Sequence, residues 1–249
     1  MIKRKSPREI KLMREAGRIV AKAHHAVSDA VKPGVTTADI DAIVKDVVTS
    51  MGAEPSFKGY GGFPGNACTS INDEIVHGIP SKQRKLIAGD ILKVDIGAYY
   101  KGFHGDSAWT YPVDEIAPGT KELLEATEAS LMEGLRQIRK GARLSDISHA
   151  VQTVAEDRGF SVVRDFVGHG IGRNLHEDPQ IPNYGPPGRG PVLKPGMTFA
   201  IEPMVNAGGP EIRVLDDGWT AVTSDNSLSA HYEHTIVVTE DGFELLTVL

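Results

Sequence analysis

Four carboxylates in this chain stand in apolar, strand-like surroundings where a lone acid is costly. Asp95 closes the run Ile91-Leu92-Lys93-Val94-Asp95, and Glu202 closes Thr198-Phe199-Ala200-Ile201-Glu202. Asp106 and Glu233 end His104-Gly105-Asp106 and His231-Tyr232-Glu233. Singly, each has an ordinary structural reading. Asp95 could cap a turn, Glu202 before Pro203 could be a strand-end charge, and Glu233 could pair with a neighbour. Brought together, the four could not all stay ionised without compensation, because like charges in a partly dry site raise one another's pKa. Divalent cations remove that conflict. Carboxylate oxygens with one or two imidazoles suit Mn, Fe(II), Co or Zn. Two such ions roughly 3.5–4 Å apart can share bridging carboxylates, hold a hydroxide nucleophile and polarise a carbonyl, so amide hydrolysis is the natural reaction class. A thiolate site is excluded, since Cys68 is the single cysteine.

An internal repeat brings the four together. Ser6-Pro7-Arg8-Glu9 reads as a capped helix start, with apolar residues following at helical spacing to Val31 and a stop at Pro33-Gly34. A second helix is expected over about Ala38–Met51, with Gly52 just past its end. A matching pair is expected over about Lys121–Arg139 and Asp146–Arg158, the latter ending at Gly159. The joints Val31-Lys32-Pro33-Gly34 and Ile138-Arg139-Lys140-Gly141 align at an offset of 107, as do Gly52 with Gly159, Gly89 with Gly196, and Asp95 with Glu202. His77-Gly78-Ile79 resembles His169-Gly170-Ile171, and His104-Gly105-Asp106 resembles His231-Tyr232-Glu233. The changed offsets imply loop-like insertions rich in Gly, Pro, Asn and Asp, after His169 and after Glu202. Helices followed by strands, twice, imply an α+β fold. Its two halves, about residues 6–113 and 119–238 of a single domain spanning 1–249, would pack about a pseudo-twofold axis. Asp95 would then face Glu202, Asp106 would face Glu233, and His77 would face His169.

Composition excludes several other classes. A net charge of −6 without a long basic run argues against DNA as a partner. No apolar stretch approaches a membrane span, and the charged start lacks the apolar core of a signal peptide. One cysteine allows no internal disulfide. A cytoplasmic protein is expected.

Five segments carry a family resemblance: Lys93-Val94-Asp95-Ile96-Gly97, Gly102-Phe103-His104-Gly105-Asp106-Ser107, Gly168-His169-Gly170-Ile171-Gly172, Phe199-Ala200-Ile201-Glu202-Pro203-Met204 and Tyr232-Glu233-His234-Thr235. In combination they resemble methionine aminopeptidases, over nearly the whole chain. The resemblance implies the pita-bread α+β fold with antiparallel strands covered by helices, two divalent ions per chain, and removal of the initiator methionine from nascent polypeptides whose second residue is small. It implies that Asp106 and Glu233 bridge the ions, that Asp95 binds one, and that His169 and Glu202 bind the other. His77 is implied to aid the scissile amide, His176 to contact the substrate carbonyl, and Glu202 to shuttle a proton.

Tyr60, Phe63, Cys68 and Trp219 align with the apolar pocket for the methionine side chain. Aromatic and sulfur neighbours suit a thioether; core packing is the rival reading. Phe63 stands where Tyr is frequent, and Leu175 where Phe is frequent. Asn72 and Ser229 match positions that hold a monovalent cation in some relatives. His104 and His231, two residues before the bridging carboxylates, share their strand face, where they either orient those ligands or merely pack. His24, His25 and His149 fall in amphipathic helices and are read as structural or exposed. The length resembles the compact bacterial type I enzymes, expected to be monomeric and to meet substrate at the ribosome. With Ile at position 2, the chain should keep its own Met1. The nearest alternative is a proline-specific peptidase of the same fold, which usually carries a further N-terminal domain. A non-catalytic binding module and a metal store are the others.

Overall fold

A computed structural model describes residues 2–139 and 141–249. Met1, with its expected retention, and Lys140 of the second helix joint lie outside them. The first half runs α1 (Pro7–Ala30), α2 (Thr37–Ser50), β1 (Glu54–Pro55), β2 (Cys68–Ile71), β3 (Glu74–Val76), β4 (Ile91–Tyr100) and β5 (Phe103–Pro112). The second runs α3 (Pro118–Arg136), α4 (Leu144–Asp157), β6 (Ser161–Val162), β7 (Gly168–Gly170), β8 (Glu177–Ile181), β9 (Thr198–Ile201), β10 (Met204–Asn206), β11 (Ile212–Val214), β12 (Ala221–Thr223), β13 (Ser229–His231), β14 (His234–Val238) and β15 (Phe243–Leu245). Every strand pairing is antiparallel.

The capping box at Ser6 and Glu9 starts α1 as expected, and Met13, Val20, Ala23 and Val27 form its buried stripe. α3 begins three residues before the expected start, because Pro118 supplies the fixed φ of a first helical turn. It ends three residues short of Arg139.

The repeat is visible in hydrogen bonds. Leu86 N–H donates to Val35 O at 2.8 Å, and Leu193 N–H to Ala142 O at 2.9 Å. Isolated bridges Thr36–Lys85 and Arg143–Val192 lie at the same offset. Gly52 and Gly159 both end a helix with positive φ, 75° and 82°. Each half has its own core. Val20, Val44 and Val94 belong to one, and Leu131, Val151 and Phe199 to the other.

Three expectations are corrected. Asp95 does not end a strand: it lies mid-way along β4, which continues to Tyr100 because Gly97 and Ala98 stay paired with β5. The segment after His169 is not all loop, since β8 extends the sheet there. The segment after Glu202 holds β10 to β13, and its β11–β12 hairpin pairs with β3 of the first half. Turn-rich composition had marked only the bends between these short strands.

One close approach seats the site. α1 passes so near β5 that a Cβ on Gly105 would come within 2.7 Å of the Gly17 backbone nitrogen. A side chain on Gly105, the residue before Asp106, would push α1 from β5, and a Cβ on Gly17 would instead meet the backbone of Leu246.

Candidate metal and active site

Strand register assembles one side of the site. Cys68 pairs with Asp95 across β2–β4, and Asp95 with Ala108 across β4–β5. Directly opposed residues share a sheet face, as do residues two apart. Cys68, Asp95 and Asp106 therefore point the same way. The second half supplies the other side. Glu202 follows β9, with its carbonyl held by Asn183 Nδ2 at 3.0 Å. Glu233 joins β13 to β14, and its N–H donates to Ala108 O at 2.8 Å. Ser107 Oγ donates to the Glu233 carbonyl at 2.6 Å. Asp106 and Glu233 thus sit on the seam between the halves.

The electrostatics are those of an uncompensated acid cluster. Burial drives the carboxyl pKa of Asp95 up to about 7. Burial, then the Asp95 and Glu202 charges, drives Asp106 well above the carboxylate range. Glu202 and Glu233 are raised for the same reasons. Among the described residues, Asp95 Oδ1, Asp106 Oδ1 and Glu233 Oε1 are buried without a hydrogen-bond partner. Such orphaned acceptors call for a cation or a donor.

His169 completes the set. Its Nδ1 lies 2.9 Å from Gly170 O, which can only accept, so Nδ1 carries the hydrogen. Nε2 then turns a lone pair toward Glu202 Oε1 at 3.5 Å and Asp106 Oδ2 at 4.0 Å. Burial lowers the His169 pKa to about 4, so no imidazolium relieves that contact at neutral pH. Ligand atoms of Asp106, His169 and Glu233 lie within 4.8 Å of one another. These converging lone pairs, with three carboxylate oxygens left unpaired, fit a divalent ion bound through oxygen and imidazole nitrogen.

Asp95, Asp106, His169, Glu202 and Glu233 line one cavity of about 190 Å³ together with His77, His176, Tyr60, Phe63, Cys68 and Trp219. Phe57 and Leu175 line it too. Nothing in the spacing of Phe57 singled it out. The volume is below that of a pocket for a drug-sized ligand and suits a single side chain. Phe63 meets Trp219 edge-on with centroids 5.2 Å apart. His77, at φ 62°, is held edge-on between Phe166 and Trp219. Tyr60 Oη lies 2.8 Å from His176 Nδ1. Burial lowers the pKa of His77 to about 4 and also lowers that of His176, leaving both neutral at pH 7.

The other histidines separate. His231 Nε2 is buried, has no hydrogen bond among the described residues and lies 3.8 Å from Glu202 Oε2. His104 turns aside, its Nδ1 bonded to Ser56 Oγ at 2.9 Å. His24 is buried, whereas His25 and His149 are exposed. Asn72 and Ser229 are joined directly, Ser229 N–H donating to Asn72 O at 3.0 Å. Among the described residues no helix is long and apolar enough to cross a membrane.

Residues 11–240 match Metallopeptidase family M24. Methionine aminopeptidase 1 of Bacillus subtilis is 57% identical over 247 residues, 99% of each chain. The crystal structure of a methionine aminopeptidase from Thermotoga maritima superposes with a TM-score of 0.99 at 49% identity, covering 100% of both chains. A prolidase from Pyrococcus furiosus reaches a TM-score of 0.81 at 22% identity over 99% of this chain and 65% of its own. That likeness shows the pita-bread α+β fold alone. The chain belongs to the methionine aminopeptidases of metallopeptidase family M24.

Proposed function

We propose that this chain removes the N-terminal methionine from nascent polypeptides whose second residue is small, using two divalent ions held by Asp95, Asp106, His169, Glu202 and Glu233. One observation carries the reading. A cage of carboxylates, in which one oxygen each of Asp95, Asp106 and Glu233 is buried without a partner among the described residues, opens onto an apolar cavity sized for one side chain. Asp106 and Glu233, on the seam, would bridge the ions. Asp95 would bind one of them, and His169 and Glu202 the other. When bound, the ions supply a nucleophile from water at neutral pH and withdraw charge from the scissile carbonyl.

The chain's own groups do the rest. Phe63, Cys68 and Trp219 take the methionine side chain into apolar contact, and the thioether loses no hydrogen bond there. Neutral His77 orients the scissile amide. With Nδ1 accepting from the Tyr60 hydroxyl 2.8 Å away, His176 would carry its hydrogen on Nε2 and turn it to the carbonyl oxygen as that oxygen gains charge. Glu202 takes a proton from the attacking water and returns it to the leaving amine. The enzyme acts as a single-domain monomer in the cytoplasm, on chains leaving the ribosome.

The test is cleavage of the peptide Met-Ala-Ser by chelator-treated protein reconstituted in turn with Mn, Fe(II), Co and Zn, with an X-Pro peptide alongside. Release of free methionine from Met-Ala-Ser supports the proposal. Inactivity with every ion, or preference for the X-Pro peptide, overturns it.

A further inference from the structure

Lys93 is 2% exposed, and the catalytic scheme gives it no task. It lies two residues before Asp95 on the same face of β4. Its Nζ donates to the backbone carbonyl of Asn72 at 2.7 Å. That residue is firmly held. Asn72 has a left-handed φ of 54°; its Nδ2 donates to Asp90 Oδ1 at 2.8 Å, and its Oδ1 accepts the Ile91 N–H at 3.0 Å. The same carbonyl accepts the Ser229 N–H. Asn72 O therefore ties β4 of the first half to β13 of the second, and β13 leads through His231 to Glu233. One residue on, Asp73 O accepts the Thr223 N–H of β12 at 3.0 Å, a second link between the halves.

The surroundings are those of a cation site. Burial, with the Arg84 guanidinium acting the same way, lowers the Lys93 pKa to about 7, while the carboxylates of Glu74, Asp73 and Asp90 hold the ammonium charged. The family resemblance implied a free monovalent cation at Asn72 and Ser229. The residues present do not fit one. A carbonyl oxygen offers two lone pairs, and here Lys93 Nζ and Ser229 N–H take both.

We propose that Lys93 is a tethered monovalent cation: behind the carboxylate cage its ammonium holds the Asn72 carbonyl that the second half also reaches through the Ser229 N–H, in the place that relatives give to a free alkali ion. The side chain carries its own charge to the site, so this chain needs no potassium or sodium. Removing the ammonium leaves a charged, carbonyl-lined space that a small cation can enter.

The experiment compares potassium, sodium and choline chlorides at equal ionic strength, reading both thermal unfolding and Met-Ala-Ser cleavage by the metal-loaded enzyme. The wild type should show the same melting temperature and rate in all three salts. Lys93→Ala in choline should lose about tenfold in activity, the lower range for removing a group that orients metal ligands, and should melt lower. Potassium, ammonium or ethylammonium should restore both, and tetramethylammonium should not. Lys93→Met, which fills the space without charge, should be impaired and gain nothing from any salt. Alkali dependence of the wild type overturns the proposal, as does a Lys93→Ala variant indifferent to small cations or a Lys93→Met variant equal to the wild type. If Lys93→Ala does not fold in any salt, the wild-type and Lys93→Met arms decide. The unfolding readout needs no peptidase activity, so this proposal and the functional reading fail separately.

Discussion

Thr235 Oγ1 serves both backbone groups of Asp106: it accepts the Asp106 N–H at 3.0 Å and donates to the Asp106 carbonyl at 2.7 Å. The two residues come from different halves, and Thr235 is fully buried. The reciprocal pair fixes the strand that carries Asp106 against the strand that follows Glu233. Thr235→Val keeps the shape and removes the hydroxyl. It should strand a buried donor and a buried acceptor, at a cost of about 2–4 kcal/mol. Urea unfolding of the metal-free protein measures that loss. Calorimetric titration should show divalent-ion affinity down by about 10–100-fold, as when an outer partner of a ligand is removed. Unchanged affinity in a folded variant would mean that the seam does not position Asp106.

Asp106→Asn should separate function from stability. The carboxylate is buried beside Asp95, Glu202 and Glu233, each raising the cost of ionising the others. In the absence of metal, neutralising one member relieves that repulsion, so the metal-free variant should be as stable as the metal-free wild type or more stable, by about 1–3 kcal/mol. Its metal content by mass spectrometry should fall, and Met-Ala-Ser cleavage should drop by at least about two to three orders of magnitude, the scale for losing transition-state electrostatic stabilisation. The wild type should gain about 2.7 kcal/mol of stability from a divalent ion at a hundredfold excess over its dissociation constant. The variant should gain little. A variant that keeps its metal and its activity would sink the assignment of Asp106.

Much of this arrangement was legible because the chain repeats itself. The offset of 107 that relates Gly52 to Gly159 also relates Asp95 to Glu202, and a glycine with positive φ marks a backbone turn that both halves must make. Periodicity gave α1 its buried stripe from Met13 to Val27 because a helix writes its burial into nearby residues. What stayed hidden is written across long separations. Lys93 reads as one polar residue inside a strand, and only the fold brings Asn72 and Ser229 to its ammonium. Phe57 lines the cavity because the chain after β1 bends over the site, and its flanking residues carry no period that says so. The β11–β12 hairpin that precedes and follows Trp219 looked like a loop insertion, because three-residue strands are too short to show alternation.

Tyr60→Phe tests how His176 is oriented. Tyr60 is 47% exposed, so its hydrogen bond to His176 Nδ1 competes with water. Losing it should let the imidazole sample the other tautomer and other rotations, lowering kcat about 3–10-fold, the equivalent of about 0.7–1.4 kcal/mol for one net hydrogen bond. KM for Met-Ala-Ser should change less than twofold, because the methionine side chain is held by Phe63, Cys68 and Trp219 instead. A rise in KM at constant kcat would assign Tyr60 to substrate binding and not to His176.

His24 sets part of the acid limit of stability. Its Nε2 lies 2.9 Å from Ser107 O, and its Nδ1 lies 2.8 Å from Tyr111 Oη. Ser107 O can only accept, so Nε2 bears the hydrogen and Nδ1 accepts from the tyrosine. Burial lowers the pKa to about 4, against an ordinary value of 6.5, with the Ser107 carbonyl opposing the shift. The unfolded chain therefore takes up a proton at this residue below about pH 6.5, and the folded chain does so only near pH 4. In that window the unfolded state binds more protons, so stability falls as pH drops. Between pH 7 and pH 5 the loss from His24 alone is about 2 kcal/mol. His24→Gln can still donate to Ser107 O and does not titrate. Its stability deficit at pH 7 should therefore shrink by about 2 kcal/mol at pH 5, read by urea unfolding of metal-free protein at both pH values. A deficit that stays constant between pH 7 and pH 5 would show that His24 takes up its proton equally in the folded and unfolded states.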